Sequence, residues 1–219
     1  MPNQNGKAYG LTALCPIVNA SQNDQSAAAL VRAHLRTLPL DEASPMARVP
    51  NTYLCRLFVF DDVLYEGHPA RLDHLKSNYL VFVAEIHGEL RPYLRGVWEH
   101  AEAFVRETWK HCVGFGRVHD AEGFVEYIER CQVETTFYFN GSTDEPLDEQ
   151  LKALYLKQEL SKFAFANQGK EPAELRRAFN EFVSRVAPSD ASGPTWAPGA
   201  SSLDVPLQDR RRRPSARLP

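Results

Sequence analysis

No apolar run in the sequence approaches the roughly 20 residues that a helix needs to cross a bilayer. The opening residues MPNQNGKAYG also lack the charged stretch followed by an apolar segment that marks a secretory leader. We therefore expect a cytoplasmic protein without a membrane partner. Only four cysteines are present, and none forms the C-x-x-C pair that zinc and redox sites use. Free, mostly buried thiols are expected, and no metal site is predicted.

A general excess of positive charge is also missing. The formal net charge is -3 over 219 residues, and the basic carboxyl end, which contains the run RRRR at 210–213, leaves the preceding part more acidic than the whole. An acidic body argues against a nucleic-acid surface on the folded part. We interpret the arginine run as a solvated tail rather than a binding site for nucleic acid or an acidic membrane.

Hydrophobic periodicity predicts an ordered series of strands and helices in the first two thirds of the chain. Short runs rich in β-branched and aromatic residues predict strands at 7–18, 52–60, 79–87 and 132–139. Apolar residues at helical spacing predict helices at 27–38, at 89–110 and after a capping Asp120. This order is that of the ferredoxin-like β-α-β-β-α-β unit, an α+β fold whose four-stranded antiparallel sheet is covered by helices on one face. The other, apolar face then needs a partner.

Two further helices are predicted after this unit, each beginning near a proline. They start near Pro146 and Pro172 and have the pattern of an antiparallel hairpin. Beyond Pro188 the chain is dominated by Pro, Ser, Gly, Ala and Arg without periodicity, which predicts disorder. The predicted organisation is a ferredoxin-like domain at 1–144, a helical extension at 145–187 and a disordered tail at 188–219.

Four segments carry a likeness to a known family. In this order, ALCPIV, SPMARVPNTYLCRLFVFDD, YLVFVAEIHG and TWKHCVGF resemble a group of largely uncharacterised bacterial ferredoxin-like proteins, over about residues 8–140. The resemblance implies a dimeric α+β barrel, in a superfamily that includes heme enzymes such as dye-decolorizing peroxidases and chlorite dismutases, and cofactor-free monooxygenases. It implies a fold and not a reaction. The G-x-x-D-G motif of dye-decolorizing peroxidases is absent, and Tyr53 stands where a histidine is expected.

His111 is the candidate cofactor ligand. With Cys112 it extends the apolar face of the predicted long helix, one heptad beyond Phe104 and Val105. A neutral imidazole at this place could ligate heme iron, which makes heme the candidate cofactor. The alternative is a hydrogen-bonded core histidine, which is favoured because one histidine beside one cysteine is not a full ligand set.

Strand alternation predicts a polar group on one sheet face. Its members have the parity opposite to the more apolar positions of their strands: Arg56, Glu85, Glu134 and Tyr138. In a pocket, Glu85 or Glu134 would be a general base with a pKa raised by burial, and Arg56 and Tyr138 would bind the substrate, with Arg56 suited to an anionic group. The alternative is a charge network at a dimer interface.

Two functions stay open at this point. In the first, a homodimer pairs its bare sheet faces around a small apolar or aromatic ligand and supports oxidative chemistry, either heme-dependent or cofactor-free and oxygenase-like. In the second, a non-enzymatic module assembles with a partner protein through the sheet face and the C-terminal helices. Large apolar residues on that face, Leu54, Phe58 and Phe60, predict the homodimer. A buried cavity beside Arg56, Glu85 and Glu134 would favour the first function, and a tightly filled interface with those charges paired would favour the second.

Overall fold

The described chain is an α+β fold with five α-helices and a four-stranded antiparallel sheet. The structure is a computed structural model and describes residues 3–22, 24–62, 68, 75–141 and 144–200. None of the helices in these ranges is long and apolar enough to cross a membrane.

The sheet is built from two long central strands and two edge strands. In chain order the strands of the described residues are β1 Gln4–Asn5, β2 Ala8–Pro16, β3 Ser21–Gln22, β4 Gln25–Ser26, β5 Thr52–Phe60 and β6 Tyr79–His87. The sheet order is β1-β2-β6-β5, and every neighbouring pair is antiparallel. β3 and β4 form a separate hairpin. The three long strands predicted from the sequence are therefore confirmed, the first in a shorter form.

The helices follow their sequence signals closely. They are α1 Ala27–Arg36, α2 Leu90–Trp109, α3 Ala121–Cys131, α4 Leu147–Ala166 and α5 Pro172–Val186. α3 begins at the predicted cap, because the Asp120 carboxylate accepts a hydrogen bond from the Gly123 amide at 2.8 Å. Such a cap stabilises a helix by about 1 kcal/mol. α2 ends at Trp109, so His111 lies in the following turn and does not extend the helix face as predicted.

The core lies between the sheet and the first three helices. Alternate residues of a strand point to opposite faces, so one face of β2 and β6 can be wholly buried. Leu11 and Phe82 are fully buried on that face. The Trp109 ring meets Phe82 with ring centroids 5.4 Å apart and Phe124 of α3 at 5.5 Å, which joins the sheet to α2 and α3.

The predicted strand at 132–139 is wrong. This segment makes one isolated bridge, between Ala13 and Gln132, and no ladder with β2. Side-chain amides bind it instead: Asn3 Oδ1 accepts from the Thr135 amide at 3.1 Å, and Asn5 Nδ2 donates to the Tyr138 carbonyl at 3.4 Å. The sheet takes its remaining edge strand from the amino-terminal end of the chain, and the ferredoxin-like strand order is not confirmed.

The C-terminal helices α4 and α5 form a hairpin closed by aromatic contacts. The rings of Phe163 and Phe182 lie 4.8 Å apart, and Arg185 forms an ion pair with Glu159 at 2.7 Å. Residues 188–200 contain neither helix nor strand, but the Lys152 ammonium donates to the Pro194 carbonyl at 2.8 Å. The rest of the predicted disordered tail, 201–219, lies outside the described residues.

Candidate functional site

The sheet face opposite to the helices carries the candidate site. We call it the outer face, and its residues on β5 and β6 are Leu54, Arg56, Phe58, Phe60, Val81, Val83 and Glu85. The register pairs Leu54 with Glu85 and Phe58 with Val81. Leu54, Phe58 and Phe60 are 49%, 43% and 38% exposed. The outer face is therefore largely apolar, with the exposed Arg56 between Leu54 and Phe58 and the carboxylate of Glu85 at one end.

A hydrogen-bonded pair stands at this polar end. The Tyr138 hydroxyl donates to Glu85 Oε2 at 2.7 Å. Tyr138 reaches across β2 because Gly10, which pairs with Glu85 in the ladder, has no side chain. A Cβ at Gly10 would lie 2.8 Å from Cε2 of the tyrosine ring, well inside van der Waals contact. The glycine thus admits the ring that positions the carboxylate.

Burial raises the pKa of Tyr138, and the hydrogen bond to Glu85 and the negative charge of that carboxylate raise it further. The phenol therefore stays protonated at neutral pH and remains the donor. A carboxylate has room for several donors, so Glu85 keeps acceptor capacity after binding Tyr138. The pair presents a fixed acceptor to whatever enters beside it.

Tyr53 and His87 form a second pair at the same end of the sheet. The Tyr53 hydroxyl donates its proton to the Glu145 carbonyl at 2.9 Å, so the His87 Nδ1 at 2.8 Å must carry the hydrogen of their mutual bond. The Nε2 of a neutral imidazole is then an acceptor. Burial raises the pKa of Tyr53, and the nearby carboxylates of Asp144 and Glu145 raise it further.

Sequence alternation did not assign Tyr53 to this end because of a β-bulge. Between Thr52 and Leu54 the pairing with β6 shifts by one residue. A bulge leaves one residue unpaired and turns its side chain away from the direction that alternation predicts. Tyr53 has the parity of the helix-side residues, yet the bulge directs it towards His87. The sequence signal that could have located it was the histidine at the matching end of β6.

A cavity of 610 Å³ opens beside these groups. Its polar lining includes Glu85, Tyr138 and Tyr53, and its apolar wall includes Leu54, Phe137 and Phe139. The beginning of α4 closes one side with Leu147. Because Phe137 and Phe139 are 82% and 71% exposed, the aromatic wall stands open to solvent. We call this space the sheet-face cavity.

Only two of the predicted site residues meet in the sheet-face cavity, Glu85 and Tyr138. Arg56 shares the outer face, but its partner in the ladder is Val83, two residues before Glu85 on β6. It forms no ion pair with Glu85. Glu134 is exposed and does not line the cavity, because its segment is not a strand that presents alternate residues to the sheet face. Its predicted equivalence to Glu85 therefore has no geometric basis.

His111 lies at the far end of the sheet. Its carbonyl accepts from the Val18 amide at 2.9 Å, whereas Glu85 pairs with Gly10. From Gly10 in β2 to Ile17 just beyond its end, the extended chain spans about 24 Å, at roughly 3.4 Å per residue. Burial and the charge of Lys110 lower the pKa of His111, which favours the neutral imidazole but leaves it remote from the cavity.

The lining of the sheet-face cavity does not fit heme. The described residues that line the cavity include no histidine, cysteine or methionine, and the hydroxyls of its two tyrosines already donate to Glu85 and to the Glu145 carbonyl. His111 is too far away to serve. Across the ranges that the structure describes, no three His, Cys, Asp or Glu side chains are grouped to hold a metal ion.

Comparison of the chain with known protein families, with curated proteins and with solved structures finds no match. The resemblance to bacterial ferredoxin-like proteins therefore stays a prediction. Function has to be argued from the geometry of the site.

Proposed function

We propose that the protein is a homodimeric, ferredoxin-like α+β barrel that binds a small aromatic or apolar molecule carrying a hydrogen-bond donor. The observation that carries the proposal is the Glu85–Tyr138 pair, joined at 2.7 Å, at the polar end of an aromatic cavity. Small-molecule sites typically combine an apolar lining of this kind with few, well-placed polar groups, in volumes of roughly 300–1,000 Å³. A volume of 610 Å³ lies within that range.

The pair defines the ligand chemistry. Tyr138 uses its proton on Glu85, so the group offered to the ligand is the carboxylate acceptor. A hydroxyl or amine on the ligand would donate to Glu85, while its ring would lie against Phe137 and Phe139. In cofactor-free oxygenase-like chemistry, which the family resemblance raises, Glu85 would be the general base that removes the proton of a ligand hydroxyl.

Dimerisation and ligand binding are linked through Leu54. This residue lies on the outer face and also lines the sheet-face cavity. A second copy that covers Leu54, Phe58 and Phe60 would remove their exposed apolar surface from water, at roughly 25 cal/mol per Å². It would at the same time place a wall over the open side of the cavity.

The helical hairpin supports the second candidate function, an assembly module. Its exposed apolar residues are Leu154, Leu160, Phe165, Leu175 and Phe179. Contiguous exposed apolar surface is typical of protein-binding sites. This role does not require Glu85, and the two functions can therefore be separated by one substitution.

The test is a fluorescence titration of the protein with 2-naphthol and, in parallel, with 2-methylnaphthalene, which lacks the hydroxyl. We expect saturable binding of 2-naphthol that weakens about tenfold in Glu85→Gln, since a hydrogen bond to a charged group contributes about 1.5 kcal/mol or more. Binding of 2-methylnaphthalene should be equal in both proteins. Glu99→Gln, an exposed carboxylate on α2, is the matched control. Failure of the wild type to saturate, or equal naphthol affinity in Glu85→Gln, would refute the ligand proposal.

A further inference from the structure

Three of the four cysteines and Tyr127 meet on the helix side of the sheet, away from the sheet-face cavity. Cys15 is fully buried in β2, Cys112 is buried in the turn after α2, and Cys131 is the half-buried last residue of α3. Two isolated bridges explain the meeting: Ala13 pairs with Gln132, and Ile17 with Cys112. Cys15 lies between Ala13 and Ile17 in the chain.

The thiols of Cys15 and Cys131 lie close enough for each to shift the pKa of the other. The Trp109 indole Nε1 donates to Cys15 Sγ at 3.3 Å and fixes that sulfur in place. The hydroxyl of Tyr127 faces Cys112 and Cys131 but makes no well-formed hydrogen bond to any residue in the described ranges. A buried hydroxyl without a hydrogen-bond acceptor is unfavourable. A negative sulfur beside it would give it an acceptor.

Cys131 is also reached from solvent. It lines a cavity of 300 Å³ together with Tyr127, Arg117 and Arg130. Arg130 forms an ion pair with Glu126 at 3.0 Å, and Arg117 is exposed at the same mouth. A partly accessible cysteine in a cavity lined by two arginines and the carboxylate of Glu126 has the exposure and the neighbouring cations that are typical of a reactive cysteine.

Of the three clustered thiols, Cys131 is the one whose pKa is lowered. The hydrogen bond from Cys15 lowers the pKa of Cys131, and Tyr127 and the charge of Arg130 lower it further against the effect of burial. Burial raises the pKa of Cys112, and that of Cys55 in β5, to about 12. Cys131 therefore forms a thiolate most readily in the cluster, and Cys55 serves as an inert comparison.

We propose that Cys131 is a site of reversible oxidation by hydroperoxides, and that Cys15 is the thiol that closes a disulfide on it. The site shares no residue with the sheet-face cavity, so this proposal stands or fails independently of the ligand-binding function.

The chemistry takes two steps. The Cys131 thiolate attacks the distal oxygen of the hydroperoxide, the O–O bond breaks, and the departing alkoxide takes up a proton and leaves as an alcohol, or as water from hydrogen peroxide. Cys131 becomes a sulfenic acid. The Cys15 sulfur then attacks that sulfur, the S–S bond forms, and water leaves with the proton of Cys15. Two thiols lose two electrons in total, one hydroperoxide gains them, and an external dithiol reverses the disulfide by exchange.

The experiment treats the full-length protein with hydrogen peroxide and maps its cysteines by peptide mass spectrometry. We expect a Cys15–Cys131 disulfide that a dithiol reverses, with Cys55 unchanged. In native wild type at pH 7, iodoacetamide should alkylate Cys131 at least about tenfold faster than Cys55, as its larger thiolate fraction requires. In Cys15→Ala the sulfenic acid should persist and be captured by dimedone, whereas Cys55→Ala should behave as wild type.

Three results would overturn the proposal. They are alkylation of Cys131 no faster than that of Cys55, peroxide oxidation that leaves Cys131 a thiol, and a disulfide from Cys131 to a cysteine other than Cys15. Because the alkylation rates and the disulfide map come from wild type, the outcome does not depend on whether Cys15→Ala folds.

Discussion

At the scale of single residues, the site depends on a contact between a tyrosine and a carboxylate that are 53 positions apart in the chain. Tyr138 comes from a segment outside the sheet, and Gly10 gives it room to cross β2. The contact therefore joins the 132–139 segment to the sheet as well as positioning Glu85. Loss of the hydroxyl should affect both stability and the cavity.

Tyr138→Phe is expected to lower the free energy of unfolding by about 1 kcal/mol, because it removes the hydrogen bond to Glu85 and keeps the ring. Urea denaturation at pH 7 measures the change. Tyr155→Phe is the matched control, since the Tyr155 ring contacts the Lys152 ammonium and no described residue bonds to its hydroxyl. Equal stability of the two variants would mean that the Tyr138–Glu85 bond contributes nothing measurable.

The same pair has a signature at alkaline pH. In the unfolded chain the pKa of Tyr138 is about 10, and in the folded protein it is higher than that value. The folded state then binds the phenolic proton more tightly, so its contribution is fully present below pH 10 and is lost as pH rises through the folded pKa. Wild type should therefore lose more stability above pH 10 than Tyr138→Phe does. The residual loss in the variant belongs in part to Tyr53, whose pKa is also raised.

At the scale of secondary-structure elements, a single buried lysine joins α4, α5 and the segment that follows. Lys152 is 4% exposed, and its ammonium donates to the Val186 carbonyl at 2.7 Å and to the Pro194 carbonyl at 2.8 Å. The first is a carbonyl of the last turn of α5, where positive charge is favourable. The second attaches residues 188–200 to the hairpin.

Lys152→Met should destabilise the protein by about 1–3 kcal/mol, because two buried carbonyls lose their donor. It should also increase hydrogen exchange in residues 188–200, which lose their attachment through Pro194. Lys157→Met, an exposed lysine on the same helix, is the control and should change neither quantity. Unchanged exchange after residue 188 in Lys152→Met would show that other contacts bind this segment.

The helices and strands that could be predicted from sequence are those whose signals lie within their own residues and do not depend on a distant partner. β5 and β6 are nine-residue runs rich in β-branched and aromatic residues, and α3 begins at a capping aspartate, so each signal is complete within the element. The 132–139 segment alternates as a strand would, but alternation does not show which partner a strand has. The side chains of Asn3 and Asn5 bond to the Thr135 amide and the Tyr138 carbonyl, and no strand forms.

The site was predictable only where it follows strand parity. Glu85 lies on the outer face as alternation requires, and Tyr138 meets it through a contact that local pattern could not show. The position predicted for Glu134 was wrong because the strand predicted at 132–139 does not form. Tyr53 was missed because a one-residue bulge reverses its direction, and a bulge leaves no mark in the order of apolar and polar residues.

At the scale of the whole molecule, the fold has one sheet face covered by helices and one apolar face without such a cover. Phe58 lies on the edge strand β5 of that outer face, opposite Val81. A stable interface buries roughly 800 Å² on each partner, and the exposed side chains of Leu54, Phe58 and Phe60 on the outer face, with Phe137 and Phe139 of the cavity wall, would contribute apolar surface to it. A second copy is the occupant we propose, because the same surface includes Leu54 of the sheet-face cavity.

Phe58→Lys should therefore convert a dimer to a monomer in sedimentation equilibrium at micromolar concentration, since two lysines would be buried near each other at the symmetric interface. The Tm of wild type should rise with protein concentration, as expected when unfolding is linked to dissociation, and the Tm of the variant should not. Leu40→Lys alters an apolar residue that is 95% exposed outside the sheet, and it should leave both measurements unchanged. A wild-type protein that sediments as a monomer with a concentration-independent Tm would contradict the barrel. It would leave the sheet-face cavity open on the side that the second copy was proposed to cover.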